Sequence, residues 1–179
     1  MTQIGTAYAQ ALYSLAKDEG LSQTILEELK ALDAVLCQEP DYLRLLAAPN
    51  LSKEERCGIL DKGFRGKIHP YLLNFLKILT EKGYVRQFSD CCKAYIQQYN
   101  EDHHILPVCA VTAVALSDAQ AEKLTAKLAQ ITGKTIELSN RVDADCLGGV
   151  RLDYDGKRVD GTVRNRLDAI RSMLKNTVL

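Results

Sequence analysis

Histidine and cysteine are the residues of this sequence that could ligate a transition metal, and their spacing predicts no metal site. His103 and His104 are adjacent, and neighbouring residues on a helix point about 100° apart, so the two imidazoles do not converge on one ion. The six cysteines form no C-x-x-C pair and stand at positions 37, 57, 91, 92, 109 and 146. We interpret them as small apolar residues in buried or half-buried positions of a protein from a reducing compartment.

The glycine pair Gly148-Gly149 is the second candidate for chemistry, because glycine-rich loops can bind phosphate. Such a loop follows a strand and opens a helix whose N–H groups face the anion. Here the glycines precede a predicted strand, and neither G-K-[ST] nor G-x-G-x-x-G accompanies them. We therefore predict a bulge or a close backbone approach at this point, with no cofactor and no active site. An enzyme that binds phosphate here is the alternative, and nucleotide titration would separate the two.

Basic residues are concentrated in the last quarter of the chain. They are Arg158, Arg164, Arg166, Arg171 and Lys175, and Asp155, Asp160 and Asp168 lie among them. A mixed pattern of this kind is typical of a solvated helix face, and the alternative is a docking surface for an acidic partner helix.

The overall composition excludes several classes of protein. In the 179 residues, 23 Lys and Arg balance 23 Asp and Glu, and there is no Trp and only three Phe. A generally basic nucleic-acid binder with aromatic stacking platforms is therefore excluded. The longest apolar run, residues 105–116, is shorter than the roughly 18 residues that a spanning helix needs, so we expect no insertion into a membrane. We also expect no secretory signal, because no basic stretch precedes an apolar core at the N-terminus.

These candidate residues lie in two regions of the chain whose patterns of apolar and polar residues differ. Before residue 105 the pattern is helical, and six short helices joined by short links predict a compact bundle. We predict helices over 4–19, from an N-cap at Ser22 to Pro40, around Leu43–Leu46, after a Ser52/Glu55 capping box, over 71–82 and over about 85–101.

The fifth of these helices is more apolar than one buried stripe requires. One face carries Leu72, Phe75, Leu76 and Leu79, while Leu73 and Ile78 lie off it. One interpretation is a central helix buried on most sides. The other is a groove with spare apolar surface that takes a partner helix.

After residue 105, strands alternate with helices. We predict strands over 106–115, 134–142, 150–154 and 157–159, a helix from Ser117 to Ile131, and a last helix that Thr162 caps. Asp155-Gly156 is a typical two-residue hairpin turn. The predicted fold class is therefore α+β, with an N-terminal six-helix bundle at 1–105 and a small C-terminal α/β domain of about four strands and two helices at 106–179.

Four segments of the chain resemble one known family. Residues 6–13, T-A-Y-A-Q-A-L-Y, look like the opening signature of the delta subunit of F-type ATP synthases, the bacterial relative of the mitochondrial oligomycin-sensitivity-conferring protein. Residues 74–79, with Arg86 beyond them, are similar to the fifth-helix segment of that family. Residues 148–152 and 160–167 resemble its G-G hairpin followed by D-G-S/T-V-x-x-R-L. The order and spacing of these segments are more specific than any one of them.

The resemblance implies a non-catalytic stator subunit that links the alpha/beta catalytic headpiece to the peripheral stalk of b subunits. The implied partners are therefore the alpha and b subunits in a hetero-oligomer, with no nucleic acid. The implied location is peripheral, at the cytoplasmic face of the bacterial inner membrane. A helical scaffold unrelated to ATP synthase is the alternative, and co-purification with alpha and b subunits would separate the two.

Two sets of partner-binding residues follow from the resemblance. The N-terminal helix of an alpha subunit is expected between helices one and five, at Ala7, Tyr8, Ala11 and Ile78. The alternative is that these four residues only pack the helical bundle. The stalk is expected on the C-terminal domain, at Arg158, Arg164, Arg166 and Arg171.

Overall fold

The computed structural model describes residues 3–48 and 51–168, and it has the predicted α+β fold class. The chain divides into two compact units, Met1–Tyr99 and Asn100–Leu179, which we call the helical unit and the sheet unit. Within the described ranges, no helix combines the length and the apolar character needed to cross a membrane.

Helices that closely follow the sequence pattern precede the sheet. A single turn of 3₁₀ helix, Val85–Gln87, leads into the sixth of them, so the predicted continuous helix from residue 85 is wrong at its start. The helices are α1 (Gln3–Asp18), α2 (Ser22–Gln38), α3 (Pro40–Leu46), α4 (Lys53–Phe64), α5 (Pro70–Glu81) and α6 (Phe88–Asp102).

Local hydrogen bonds explain where these helices begin. The Ser52 Oγ accepts from the Glu55 N–H at 3.1 Å and the Ser52 N–H donates to Glu55 Oε2 at 2.9 Å, which confirms the capping box of α4. The predicted N-cap at Ser22 is wrong, since Leu21 holds that position without a side-chain bond. Gly20 takes a positive φ of 68° and the Leu21 N–H returns to Ala16 O at 2.7 Å, so the chain re-enters a helix at once.

One continuous apolar core lies inside the helical unit. Tyr95 is fully buried, packs edge-on against Tyr13 at 5.2 Å between ring centroids, and donates its hydroxyl to Ser22 O at 3.0 Å. In α5 the predicted core face is buried, and Leu73, which lies off that face, is buried as well. Ile78, by contrast, is 45% exposed. Most of α5 is therefore buried, and Ile78 leaves apolar surface exposed to water.

The cysteines mostly occupy the positions predicted for small apolar residues. Cys91, Cys92 and Cys146 are buried, and two others are half-buried. Burial raises the pKa of the Cys91 thiol to about 11 and shifts the pKa of Cys92 still further in the same direction. Cys37 is exposed, so the prediction is wrong for that residue.

The sheet unit is built on four strands in the order β2-β1-β3-β4. The crossover through a helix makes β1 and β2 parallel, whereas the other two pairings are antiparallel. The elements are β1 (Ile105–Thr112), α7 (Asp118–Thr132), β2 (Thr135–Val142), β3 (Val150–Tyr154) and β4 (Lys157–Asp160).

Strand β1 is central, as predicted, but it ends at Thr112 rather than Ala115. The Thr112 hydroxyl donates to Val114 O at 2.7 Å and accepts from the Asn140 side chain at 2.9 Å. The Asn140 side chain also accepts from the Leu116 N–H at 3.0 Å. These bonds turn the chain away from the sheet sooner than its apolar pattern indicates.

A last helix, α8, begins after Thr162 and is described over residues 163–168. The Thr162 Oγ1 accepts from the Asn165 N–H at 3.2 Å, which confirms the predicted N-cap. Arg171 and the other predicted positions of this helix beyond residue 168 lie outside the described residues.

The glycine pair marks a close backbone approach at the start of β3. Gly149 has a φ of 78°, and a Cβ built on it would lie 2.5 Å from Gly161 O. Two backbone bonds of 3.0 Å join the same segments, from Gly161 N to Val150 O and from Val163 N to Gly148 O. The motif therefore ties the start of β3 to the end of β4 and the start of α8.

Candidate functional site

An apolar groove of about 440 Å³ runs between α1 and α5 in the helical unit. Each helix contributes residues at i, i+3, i+4 and i+7, so one stripe of each helix faces the groove. The lining residues are Tyr8, Ala11, Leu12 and Leu15 of α1 and Tyr71, Asn74, Phe75 and Ile78 of α5.

The floor of this groove is buried and its rims are exposed. Leu12 and Phe75 are only 5% and 6% exposed, because they also belong to the core. Leu15 and Ile78 are 41% and 45% exposed, which leaves large apolar side chains in contact with water. Covering such side chains contributes about 25 cal/mol per Å² of apolar surface, so the groove can bind an apolar partner.

Aromatic contacts fix both ends of the groove. Tyr8 lies against Tyr84, at 6.2 Å between ring centroids, and Tyr84 follows the end of α5 and donates its N–H to Leu79 O at 2.7 Å. The early part of α1 therefore lies beside the residue that follows the end of α5. At the other end of α5, Tyr71 lies 4.9 Å from the His69 ring and donates its N–H to His69 Nδ1 at 3.3 Å.

Ala11 lines the groove from α1 and Asn74 lines it from α5. Both are exposed. Ala11 has a small side chain that lets a partner backbone approach closely, and the Asn74 amide is the polar group among otherwise largely apolar lining residues. The groove thus offers close contact on one side and a hydrogen bond on the other.

Three of the four residues predicted for the alpha subunit line this groove, namely Tyr8, Ala11 and Ile78. Ala7 is exposed but is not among the lining residues, since it lies about 100° round α1 from Tyr8. Sequence reasoning missed the other five lining residues as site residues, although their i, i+3, i+4 and i+7 spacing was a usable signal. They are Leu12, Leu15, Tyr71, Asn74 and Phe75.

The arginines predicted for the stalk are dispersed and accompanied by acidic residues. Arg158 pairs with Asp153 at 2.8 Å, and this hydrogen bond holds the pKa of the Asp153 carboxyl below its usual range. Arg164 lies 3.4 Å from Asp145, and both side chains are largely exposed. Arg166 is exposed on α8. The described positions thus form a mixed-charge surface rather than one basic patch.

The described residues provide no metal site, since no three His, Cys, Asp or Glu side chains among them are grouped to hold an ion. The glycine pair is likewise unsuited to phosphate, because Gly161 occupies the space beside Gly149. The apolar groove between α1 and α5 is suited to binding an apolar segment of a polypeptide.

Comparisons with known proteins identify one family over nearly the whole chain. Residues 4–174 match the family described as ATP synthase delta (OSCP) subunit. The chain is 31% identical over 176 residues to the ATP synthase subunit delta of Alkaliphilus oremlandii, covering 98% of both chains. It is 28% identical over 176 residues to that of Clostridioides difficile, covering 98% of this chain and 97% of the relative.

A solved structure supports the fold over the whole chain. A chain in the cryo-EM structure of the Toxoplasma gondii mitochondrial ATP synthase hexamer aligns with a TM-score of 0.72 at 20% identity, covering 97% of this chain and 98% of that chain. The family match, the relatives at full coverage and the shared fold together show that this chain belongs to the ATP synthase delta (OSCP) subunit family.

Proposed function

We propose that this chain is the stator subunit of an F-type proton-translocating ATP synthase and that the groove between α1 and α5 is where it binds the catalytic headpiece. As a member of its family the chain is a non-catalytic subunit of the enzyme complex. The occupant of the groove is the N-terminal helix of an alpha subunit, and the apolar groove with exposed rims is the observation that carries this assignment.

The function requires a contact that resists torque. When the rotor turns, the headpiece experiences an equal and opposite torque, and without a stator it would turn with the rotor. Slow dissociation therefore matters more than fast association. Nanomolar affinity corresponds to about −12 kcal/mol, and a helix in a groove with a few buried anchors can provide it.

The groove has the dimensions of a short helical contact. Tyr8 and Leu15 are seven residues apart on α1, as Tyr71 and Ile78 are on α5, so the lined length is about 10 Å at 1.5 Å per residue. Two turns of an amphipathic helix match this length. Its apolar side chains would cover Leu15 and Ile78, while Ala11 permits close approach and Asn74 donates or accepts a hydrogen bond that fixes the register.

The two parts of the chain have different partners in this proposal. A six-helix bundle at 1–105 binds the alpha subunit, through Ala7, Tyr8, Ala11 and Ile78. The α/β domain at 106–179 binds the b subunits, through Arg158, Arg164, Arg166 and Arg171. The complex places the chain at the cytoplasmic face of the bacterial inner membrane as a peripheral subunit.

The groove assignment is tested by calorimetry with a synthetic peptide of the alpha-subunit N-terminus. We expect Ala11→Asp to weaken peptide binding by at least about tenfold, because a charge would be placed where apolar groups meet without a partner. Ser14→Asp is the matched control, since Ser14 is exposed on α1 and outside the groove lining. If the Ala11→Asp variant keeps its helical circular dichroism and binds the peptide with unchanged affinity, the groove is not the binding site.

The stator function itself is tested in membranes. Removal of this chain should uncouple ATP hydrolysis from ion pumping, and adding it back should restore the coupling. Full ATP synthesis by membranes depleted of the chain would contradict the function as a whole.

A further inference from the structure

An apolar ridge lies on the surface of the sheet unit, at the start of α8. Its three residues are Leu147, Val163 and Leu167, which are 66%, 43% and 53% exposed. The Val163 N–H donates to Gly148 O at 3.0 Å, and a Cβ built on Gly148 would lie 3.3 Å from Val163 Cγ2. The loop that holds Leu147 is therefore packed against the start of the helix. Val163 and Leu167 are one turn apart and share a face of α8.

Leu147 is held in a conformation that leucine rarely adopts. Its φ is 61°, in the left-handed region that favours glycine and asparagine, where it ends the 3₁₀ turn Ala144–Cys146. Its side chain is largely exposed, so burial among the described residues does not compensate for this conformation. Exposed apolar surface of this kind is typical of a site that binds another protein.

Arginines flank the ridge on both sides of the helix. At about 100° per residue, Arg164 and Arg166 lie about 80° to either side of the line midway between Val163 and Leu167. Both arginines are exposed, and the 3.4 Å ion pair of Arg164 is made to an exposed Asp145. An ion pair of this kind is weak in water, so Arg164 can exchange it for another carboxylate.

The sequence repeats this pattern beyond the described residues. Ile170 and Leu174 follow Leu167 at the spacing of one helical stripe, and Arg171 follows Arg164 after seven residues. An apolar stripe with basic flanks is complementary to a helix whose own apolar stripe has acidic flanks. A purely acidic partner fits less well, because it would leave the apolar side chains of the ridge in water.

We infer that the ridge of Leu147, Val163 and Leu167 docks an amphipathic helix with acidic flanks, and that apolar contact supplies most of the affinity. Arg164 and Arg166 orient this helix, since exposed ion pairs add specificity more than affinity. The identity of the helix rests on the proposed function, in which the sheet unit binds the b-subunit stalk. The inference thus moves the centre of the stalk site from the arginines to the apolar residues between them.

Calorimetric titration of the full chain with the soluble part of the b-subunit stalk tests the ridge. We expect Leu167→Asp to raise the Kd at least about tenfold, because a charge would stand where apolar groups meet. Arg166→Glu should raise the Kd about threefold at low salt. This second effect should disappear in about 0.5 M NaCl, which screens exposed charges, whereas the effect of Leu167→Asp should remain.

Matched variants keep the test independent of folding and of net charge. Ile131→Asp makes the same charge change at an 81% exposed position of α7 and should leave the Kd unchanged. Ile131 lies near the start of β2, at the opposite end of β1 from the start of β3, which the ridge adjoins. Leu167→Gln removes apolar surface without adding a charge and should raise the Kd about threefold. Amide hydrogen exchange of β3 and β4 shows whether the sheet unit of each variant is folded.

An unchanged Kd in Leu167→Asp overturns the inference and leaves the stator function standing. With that result, lost protection of β3 and β4 would show that the chain itself covers the ridge, and lost self-association in sedimentation would show that a second copy does. An effect of Arg166→Glu larger than that of Leu167→Asp also overturns the inference, because the arginines would then supply the affinity. A wild-type chain that binds the alpha-subunit peptide but not the stalk contradicts the stalk assignment of the proposed function, and the inference with it.

Discussion

The two units of this chain are stabilised in different ways. In the helical unit, one buried apolar cluster contains residues from each of the helices α1–α6 and from the 3₁₀ turn before α6. Leucines and aromatic residues make up most of it. In the sheet unit, the described buried residues are few, namely Val108, Ala110, Val111, Thr112, Ile136, Cys146 and Thr162. Helix α7 packs against β2, yet none of its residues is buried.

The sheet unit compensates with local backbone and polar contacts. Gly149 and Gly161 approach closely, Asp160 accepts from the Thr162 hydroxyl at 2.7 Å, and Asn140 bonds to three separate groups around the end of β1. Burial of apolar area therefore dominates the stability of the helical unit. In the sheet unit, close backbone contacts and hydrogen bonds at a few residues contribute more. Substitutions of different kinds should damage the two units.

The largest effect is expected for a cavity in the helical unit. Leu76 is 1% exposed, and Leu76→Ala should lower the free energy of unfolding by about 3–5 kcal/mol, because buried contacts are lost and the space does not fully collapse. Seven of the eight tyrosines lie at or before Tyr99 and the chain has no Trp, so tyrosine near-ultraviolet circular dichroism in urea reports this unit.

The matched change in the sheet unit is Leu152→Ala, on the half-buried strand β3. We expect a loss of about 1–2 kcal/mol, since a smaller fraction of this side chain is removed from water on folding. Equal losses for the two leucines would contradict the comparison between the units.

A loss smaller than that of Leu76→Ala, but larger than that of Leu152→Ala, is expected from one added methyl group in the sheet unit. Gly149→Ala should cost roughly 2–4 kcal/mol, because it combines a positive φ with a Cβ 2.5 Å from Gly161 O. Gly156→Ala is the control, with a φ of 69° but nothing within 4 Å of the added atom. Amide hydrogen exchange of β3 and β4 measures both, and similar protection in the two variants would show that the close approach contributes nothing.

Most helix positions were predictable, because they depend on neighbours in sequence. The capping box at Ser52, the N-cap at Thr162 and the core face of α5 are all local patterns that the structure confirms. The errors at Ser22 and at Val85 are local shifts at helix starts, whereas the error in β1 arose from a contact distant in sequence. Strand β1 ends early because Asn140, 28 residues away, bonds to Thr112.

The groove was predictable only in part, for a related reason. Family resemblance pointed to Tyr8, Ala11 and Ile78, but periodicity alone could not separate a lining residue from a core residue on the same helix. Leu12 and Phe75 belong both to the apolar core and to the lining of the groove. That Asn74 and Ala11 line the same groove depends on how α1 and α5 pack together, which the sequence does not specify.

The smallest effect concerns the stability of the sheet unit in acid. Hydrogen bonds from Thr162 hold the pKa of Asp160 below its usual range, and the bond from Arg158 does the same for the pKa of Asp153. A carboxyl whose pKa is lower in the folded chain stabilises the fold above its unfolded pKa, about 3.9, and this contribution is lost as the pH falls through the folded value.

We therefore expect the sheet unit to lose protection progressively below about pH 4, with little loss between pH 5 and 7. Carboxyl ¹³C shifts in an NMR titration measure the two midpoints directly. Asp160→Asn keeps an acceptor for Thr162 but removes the charge, so it should reduce the acid dependence while costing less than Gly149→Ala. Midpoints at or above the ordinary aspartate value would mean that these hydrogen bonds do not favour the folded sheet unit, and the contrast with the apolar helical unit would then rest on the glycines alone.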